Sequence, residues 1–209
     1  MNRKDNEPVT GRREQKRHDN RSAIIRAAID MFGQNGVGGT TVRDIIRNTD
    51  LAAGTFYNYF NTKDCVFRSI VDEVGRDLRA RLKKARAQAT DAESFIEACF
   101  RVYFEFYAEN PKIFLMLRAN QTYSGTFLDV NDHQARTGLN ELKEDIVAAM
   151  ESGLLVKQDV DFLTNSIGGA AFALVEEMMQ RNPVDPKPVT EFAVSLFTAG
   201  MTSVGTKNI

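Results

Sequence analysis

The five prolines of this chain are Pro8, Pro111, Pro183, Pro186 and Pro188, so residues 9–110 and 112–182 contain none. Proline removes a backbone donor and clashes with the preceding turn, and its absence permits long helices. Over the same stretches apolar residues recur at three- and four-residue spacing, with almost no two-residue alternation. The pattern predicts an all-α protein. At 209 residues, 43% hydrophobic and 26% charged, the chain can bury a sizeable core as one ordinary domain or two small ones. No apolar run is long enough to cross a bilayer. The first 21 residues are polar and offer no signal-peptide core. A cytoplasmic protein without a membrane partner is expected.

The net charge of −1 is unevenly spread. Residues 1–62 carry 10 Lys and Arg against 7 Asp and Glu, a net +3; residues 63–209 carry 17 against 21, a net −4. A basic end on an acidic body suits a molecule that meets an anionic partner at one end, although so small a difference also arises by chance. The two cysteines, Cys65 and Cys99, are too far apart in sequence for a disulfide scaffold or a zinc site, which fits a reduced compartment.

Residues 1–20 are rich in Arg, Lys, Asp and Asn and read as a flexible basic arm. Ile24, Ile25, Ala28, Met31 and Phe32 form the apolar stripe of a first helix, which Gly33 and Gly36 are expected to end. Thr41-Val-Arg-Asp44 is a capping-box pattern opening a short second helix with Val42, Ile45 and Ile46 inward. Asn48-Thr49-Asp50 is a turn. A third short helix runs from about Ala52 to Tyr59. Thr62 is a plausible N-cap for a long helix from Lys63 to about Ala89, whose far end, Arg76 to Arg86, reads as solvated. Five more helices are expected near 91–109, 111–121, 127–151, 159–182 and 187–204, with Pro111 at a first helical position.

Two short helices joined by a tight turn have the dimensions of a helix-turn-helix, whose second helix lies in the major groove of DNA. Phe56 and Phe60 face inward. Thr55, Asn58 and Tyr59 are left facing out, with Tyr57 at the border, and Gly54 lets backbone come near a phosphate. The competing reading is an ordinary helical hairpin.

The wording of the stretch sharpens this. Ile25-Arg-Ala-Ala-Ile-Asp-Met-Phe-Gly-Gln-Asn-Gly36, Thr40-Thr-Val-Arg-Asp-Ile45, Gly54-Thr-Phe-Tyr-Asn-Tyr-Phe60 and Lys63-Asp64, in this order and spacing, closely resemble the TetR family of bacterial repressors. The resemblance covers about residues 21–71. It implies a three-helix DNA-binding domain at 21–62 and a helical effector-binding and dimerisation domain at 63–209. It also implies roles. Thr41 would give a hydroxyl to a phosphate, and Tyr57 and Lys63 would clamp the DNA backbone. Ala53, Thr55, Asn58 and Tyr59 would meet base edges or flanking phosphates, and Arg43 would reach either. Arg12, Arg13, Lys16, Arg17 and Arg21 would follow the minor groove or phosphates. Three positions depart from the family pattern. Asp50 stands where glycine is usual, Ala52 where a capping Ser or Thr is usual, and Ala53 where a basic residue is common. The lost cap costs about 1 kcal/mol, and the missing charge predicts a shallow salt dependence.

Beyond residue 63 the resemblance implies a ligand pocket and a homodimer interface. Small residues in Ile167-Gly-Gly-Ala-Ala171 and Ala173 let another helix approach, and Phe192, Ala193, Leu196, Phe197 and Gly200 offer a matching surface. The last two helices of each subunit would then build a four-helix interface; intrachain packing is the alternative. Phe100, Phe104, Phe114, Leu117, Phe127 and Phe172 are expected to line an elongated apolar cavity, or else simply to fill a core. The stretch Ile113–Phe127 faintly resembles fatty-acid-synthesis repressors of the family. That points to a fatty acyl or other lipid-like effector with its polar head near Arg118 or Tyr123.

Other constellations are weaker. Asp129, Asp132 and His133 have the chemistry of metal ligands but read better as solvated, and neither a metal nor a cofactor is expected. Glu176 and Glu177 point about 100° apart on a helix and cannot share one site. No phosphate loop, metal spacing or nucleophile motif speaks for an enzyme. The reading is therefore a sequence-specific regulator on a palindromic double-stranded operator, expected to be a repressor released by a small apolar effector. The alternatives are a regulator without an effector or switched by a protein partner, and a nonspecific architectural DNA binder.

Overall fold

The structure, a computed structural model, describes the backbone of residues 9–120 and 133–204 and the side chains of residues 11–120 and 136–201. Among these residues every regular element is helical, as the proline and periodicity pattern requires. The elements are α1 (Val9–Gly39), α2 (Val42–Arg47), a 3-10 helix (Ala53–Asn58), α3 (Lys63–Arg86), α4 (Ala92–Glu109), α5 (Pro111–Ala119), α6 (His133–Glu151), α7 (Val160–Gln180) and α8 (Pro186–Val204). None is long and apolar enough to cross a membrane. The described residues fall into two compact units.

The first unit holds the described residues up to Ile70 together with Leu115–Asn120. Ile24, Ala28 and Phe32 of α1 are fully buried, one face of a helix at its natural spacing. Phe32 meets Phe67 of α3 edge to face at 5.8 Å. Ile45, Phe56 and Met116 complete the core without solvent exposure.

Two expectations for α1 are corrected. Residues 9–20 are helical rather than a flexible arm, although 11–19 are all exposed. Arg, Glu, Gln and Lys are good helix formers, and extending an existing helix needs no new nucleus. The helix also passes through Gly33, where a Cβ would lie 3.6 Å from the Met116 backbone nitrogen. That glycine marks a close approach of α5, and it ends nothing. The break comes at Gly36, whose φ of 68° and ψ of 166° are not helical. Positive φ is cheap only for a residue without Cβ.

The second unit holds Val71–Phe114 and the described residues from 133 onward. Here α4 packs chiefly against α8 and α6 against α7. An aromatic chain runs through its core: Phe197 to Phe100 at 5.1 Å, Phe100 to Phe104 at 5.8 Å, and Tyr103 to Tyr107 at 5.0 Å. Tyr107 then reaches Phe114 at 5.9 Å. The helix starts are specified locally. Asp91 and Ser94 form a capping box on α4, Pro111 opens α5, and Asp159 accepts from the Phe162 amide at 2.8 Å to cap α7.

The basic end of α3 is not solvated throughout. The Arg86 side chain is buried, and it donates from Nε and Nη2 to Asp145 Oδ2 at 2.8 and 2.7 Å. Arg79 faces Glu141 at 3.4 Å, and Arg81 pairs with Asp77 and Glu109 over the Phe106 ring. Basic residues there offset the acidic body within the chain.

Candidate nucleic-acid interface

Six residues are too few to hold a helix by propensity, so α2 depends on its caps. The Thr41 hydroxyl accepts from the Asp44 amide at 3.2 Å, and the Asp44 carboxylate accepts from the Thr41 amide at 2.9 Å. The same hydroxyl donates to Asp44 Oδ2 at 2.6 Å. These bonds hold the Asp44 carboxyl below the usual carboxylate range, the side-chain bond from Thr41 contributing most. At the other end, Asn48 Nδ2 donates to Asp44 O at 2.9 Å, and the Thr49 hydroxyl donates to Ile46 O at 2.8 Å. Ile45 and Ile46 are buried, which leaves Arg43 and Arg47 exposed on the opposite side.

The element after the turn is a 3-10 helix rather than the expected α-helix. Its first bond, Thr55 N to Ala52 O at 2.8 Å, spans three residues, and Ala52 supplies no side-chain cap. The missing hydroxyl at Ala52 leaves the orphan amides of a helix start to tighter bonding. Phe56 is fully buried and Phe60 nearly so, while Tyr57 is 61% exposed. Ala53, Gly54 and Asn58 are also exposed, and Thr55 and Tyr59 half-buried. Phe56 and Phe60 thus face inward and Asn58 outward as read from the sequence, but Tyr57, expected at the border, is exposed, and Thr55 and Tyr59, expected outward, are half-buried.

Gly54 stands out within this set. A Cβ added there would meet nothing within 4 Å, and its φ is not positive. Neither packing nor backbone geometry among the described residues calls for a glycine at this exposed point.

The helical start of α1 lies beside the same surface. Glu14, Arg17, His18 and Arg21 share a groove with Asn58 and Tyr59. Arg21 is anchored: its Nη2 donates to Ser69 Oγ at 2.8 Å, and its guanidinium lies 5.5 Å from the Phe60 ring centre. Arg12, Arg13, Lys16 and Arg17 are exposed. His18 was not singled out from the sequence, and only the helical course of residues 9–20 brings it to this groove.

Lys63 is placed differently from the phosphate clamp that the resemblance implies. Its half-buried ammonium donates to Val37 O at 2.6 Å, Thr40 O at 2.7 Å and Gly38 O at 3.3 Å. Asn120, 3% exposed, is a residue that sequence reasoning missed. Its Oδ1 accepts from the Val37 amide at 2.6 Å, and its Nδ2 donates to Phe32 O at 3.1 Å and Met116 O at 2.6 Å.

Of the residues expected around a ligand, Phe100, Phe104 and Phe114 are buried in the second unit, where Phe172 is half-buried. Leu117 is half-buried and Arg118 exposed in the last turns of α5. Tyr123, Phe127, Asp129 and Asp132 lie outside the described residues, as does the side chain of His133. Glu177 pairs with Arg181 at 3.2 Å. Glu176 is half-buried near Tyr103, whose hydroxyl pKa burial raises well above normal. Burial pushes the Cys99 thiol up to about 12, whereas a hydrogen bond with the Thr62 hydroxyl lowers that of Cys65.

The small-residue stretch of α7 divides. Ile167 and Ala171 are buried, and a Cβ at Gly168 would lie 2.7 Å from Leu139 Cδ2, so Gly168 serves intrachain packing against α6. Ala193 is buried and Phe197 packs on Phe100. Phe162, Phe192 and Leu196 remain 74%, 57% and 55% exposed. Phe162, Leu196 and Gly200 line one groove between α7 and α8.

Comparison with known proteins places this geometry. Residues 24–70 match the family model of bacterial regulatory proteins of the tetR family. The chain is similar to the transcriptional regulator FadR from Bacillus subtilis in complex with stearoyl-CoA: 21% identity, TM-score 0.73, 86% of this chain and 98% of that one covered. It is also similar to the fatty acid degradation regulator FadR from Bacillus halodurans, at 23% identity and TM-score 0.71, covering 84% and 94% of the two chains. The TetR family regulator PfmR from Thermus thermophilus aligns at 18% identity and TM-score 0.63, over 85% and 93%. At these identities the likeness is one of fold.

Proposed function

From the match of residues 24–70 to the tetR family model we propose that the chain is a transcriptional regulator of that family, a homodimeric repressor of a palindromic operator. The observation that carries the reading is the exposed row Ala53, Gly54, Tyr57 and Asn58 over the buried Phe56 and Phe60. A glycine with no intrachain reason suits a surface that another backbone approaches closely. Thr41, Arg43 and Tyr57 are proposed to meet phosphates, and Thr55, Asn58 and Tyr59 base edges or their flanks. Asn pairs bidentately with adenine, and a Thr methyl packs on the thymine methyl. Thr41 would have to hand its proton from Asp44 to the phosphate.

The division proposed is DNA reading by residues 21–62, and effector binding and dimerisation by residues 63–209. Exposed Phe162, Phe192 and Leu196 support an interface through α7 and α8, since contiguous apolar surface on helices favours a partner. The effector is proposed to be a long-chain acyl thioester. Support comes from the stearoyl-CoA bound by the similar Bacillus subtilis protein and from the aromatic second unit. It acts only if it binds the DNA-competent and released states with different affinity. The protein is read as non-enzymatic and cytoplasmic.

Selection of binding sites from a random duplex pool tests the reading. An enriched palindrome, with weaker binding by Asn58→Ala and Tyr57→Phe, is expected. No enriched motif would overturn it, and a motif indifferent to both variants would move the reading surface elsewhere. If stearoyl-CoA changes neither DNA affinity nor melting temperature, the effector assignment fails and a protein-switched regulator takes its place.

A further inference from the structure

From the kink at Gly36 through the last turn of α1 to Thr41, the N-cap of α2, the backbone groups are bonded by side chains. A helix end leaves its last carbonyls without intrahelical partners. Here Val37 O, Gly38 O and Thr40 O converge on the Lys63 ammonium. The Thr40 hydroxyl, buried completely, donates to Gly36 O at 2.7 Å. The Val37 amide goes to Asn120 Oδ1. An ammonium has three N–H bonds and no acceptor, so Lys63 is saturated within the chain, and its charge sits where a helix C-terminus favours a cation. The residue immediately after this knot is Thr41, the N-cap of α2.

We propose that Lys63 and Asn120 are positioning residues for DNA binding: they clamp the α1–α2 junction and thereby set Thr41 and Arg43 against the DNA backbone, and neither touches DNA itself. The inference rests on the DNA-binding reading above and assigns Lys63 a role other than a phosphate contact. A phosphate could take the ammonium only by orphaning backbone carbonyls, each of which then carries a desolvation penalty. Arginine is a sharp probe. It keeps the charge, but its planar fork suits two parallel acceptors and cannot place three donors from one point into the carbonyl cup.

The test measures binding of the full-length chain to the pool-selected duplex between roughly 50 and 200 mM salt. Lys63→Arg and Asn120→Ala are each expected to bind about tenfold more weakly, the cost of one or two unpaired backbone groups. The slope of log affinity against log salt should stay that of the wild type. Arg43→Gln, proposed as a direct phosphate contact, should lower that slope by about 0.9. Hydrogen exchange of the free chain reads the clamp without DNA, and faster exchange at Val37 and across α2 is expected in Lys63→Arg, with a melting temperature lower by only a few degrees. Wild-type affinity in Lys63→Arg, or a slope lowered by about 0.9 in Lys63→Met, would make Lys63 a phosphate contact and overturn the proposal. So would unchanged exchange in α2. A wild-type chain that selects no site while the exchange effect holds would sink the DNA reading and leave the clamp. A selected site with indifferent variants would do the reverse. If Asn120→Ala does not fold, the Lys63 variants decide.

Discussion

The two units are held together in different ways. In the first, α2 and the 3-10 helix have six residues each, and side-chain bonds to the backbone from Thr41, Asn48, Thr49, Lys63 and Asn120 hold α2 and the stretch leading into it. In the second, helices of 18 and 19 residues, α4 and α8, meet through an aromatic core. Polar bonds are directional and fix where a surface points. Apolar burial is non-directional and supplies bulk stability. Changes in the first unit should therefore show in DNA binding, and changes in the second in the unfolding free energy.

The largest effect expected is in the second unit. Phe100→Ala removes a fully buried ring that touches Phe104 and Phe197 and should cost about 3–5 kcal/mol in denaturant unfolding. A loss under about 1 kcal/mol would mean that a cavity already lies there, as the ligand-pocket alternative requires. Next, Asp145→Ala strands the buried Arg86 guanidinium and should cost about 3 kcal/mol, again read by urea unfolding. Gly54→Ala should sharpen the contrast from the other side. Alanine is a better helix former by about 0.5–1 kcal/mol, so the melting temperature should hold or rise while affinity for the selected duplex falls. Unchanged affinity would break the assignment of that surface to DNA.

Smaller effects concern the caps. Thr41→Ala removes the N-cap of α2 and should cost about 1 kcal/mol, with a larger relative loss in DNA affinity. The lowered carboxyl of Asp44 fixes the sign of a pH effect. Its contribution is present above the unfolded value near 3.8 and disappears as pH falls through the folded value. Asp44→Asn should flatten the acid limb of the stability profile, measured by thermal melting across that range. An unaltered limb would show that the capping box contributes little in solution.

Much of both units was readable beforehand where the signals are short-range. The Thr41–Asp44 box, the inward Phe56 and Phe60, and the starts at Pro111 and Asp159 each involve residues within a few positions of one another. The reading missed where a local pattern was misjudged against its neighbours. Residues 11–19 have nothing to bury, yet continue α1. Ala52 lacks a cap, and a 3-10 helix follows. In the second unit the aromatic positions were legible as apolar. Their partners were not, because hydrophobic periodicity states that a face is buried and not against what.

Taken alone, then, the order of residues determined the helical class, the Thr41–Asp44 cap, the break at Gly36 and the inward Phe56 and Phe60 of the reading turn. These depend on backbone sterics and on bonds spanning three or four residues. Tertiary structure decided the rest. Asn120 meets the amide of Val37 across 83 positions of sequence, Lys63 meets its carbonyl across 26, and Gly168 makes room for Leu139. Such pairs are chosen by how whole helices pack, and a lone cation or amide carries no local mark of the backbone group that it will satisfy.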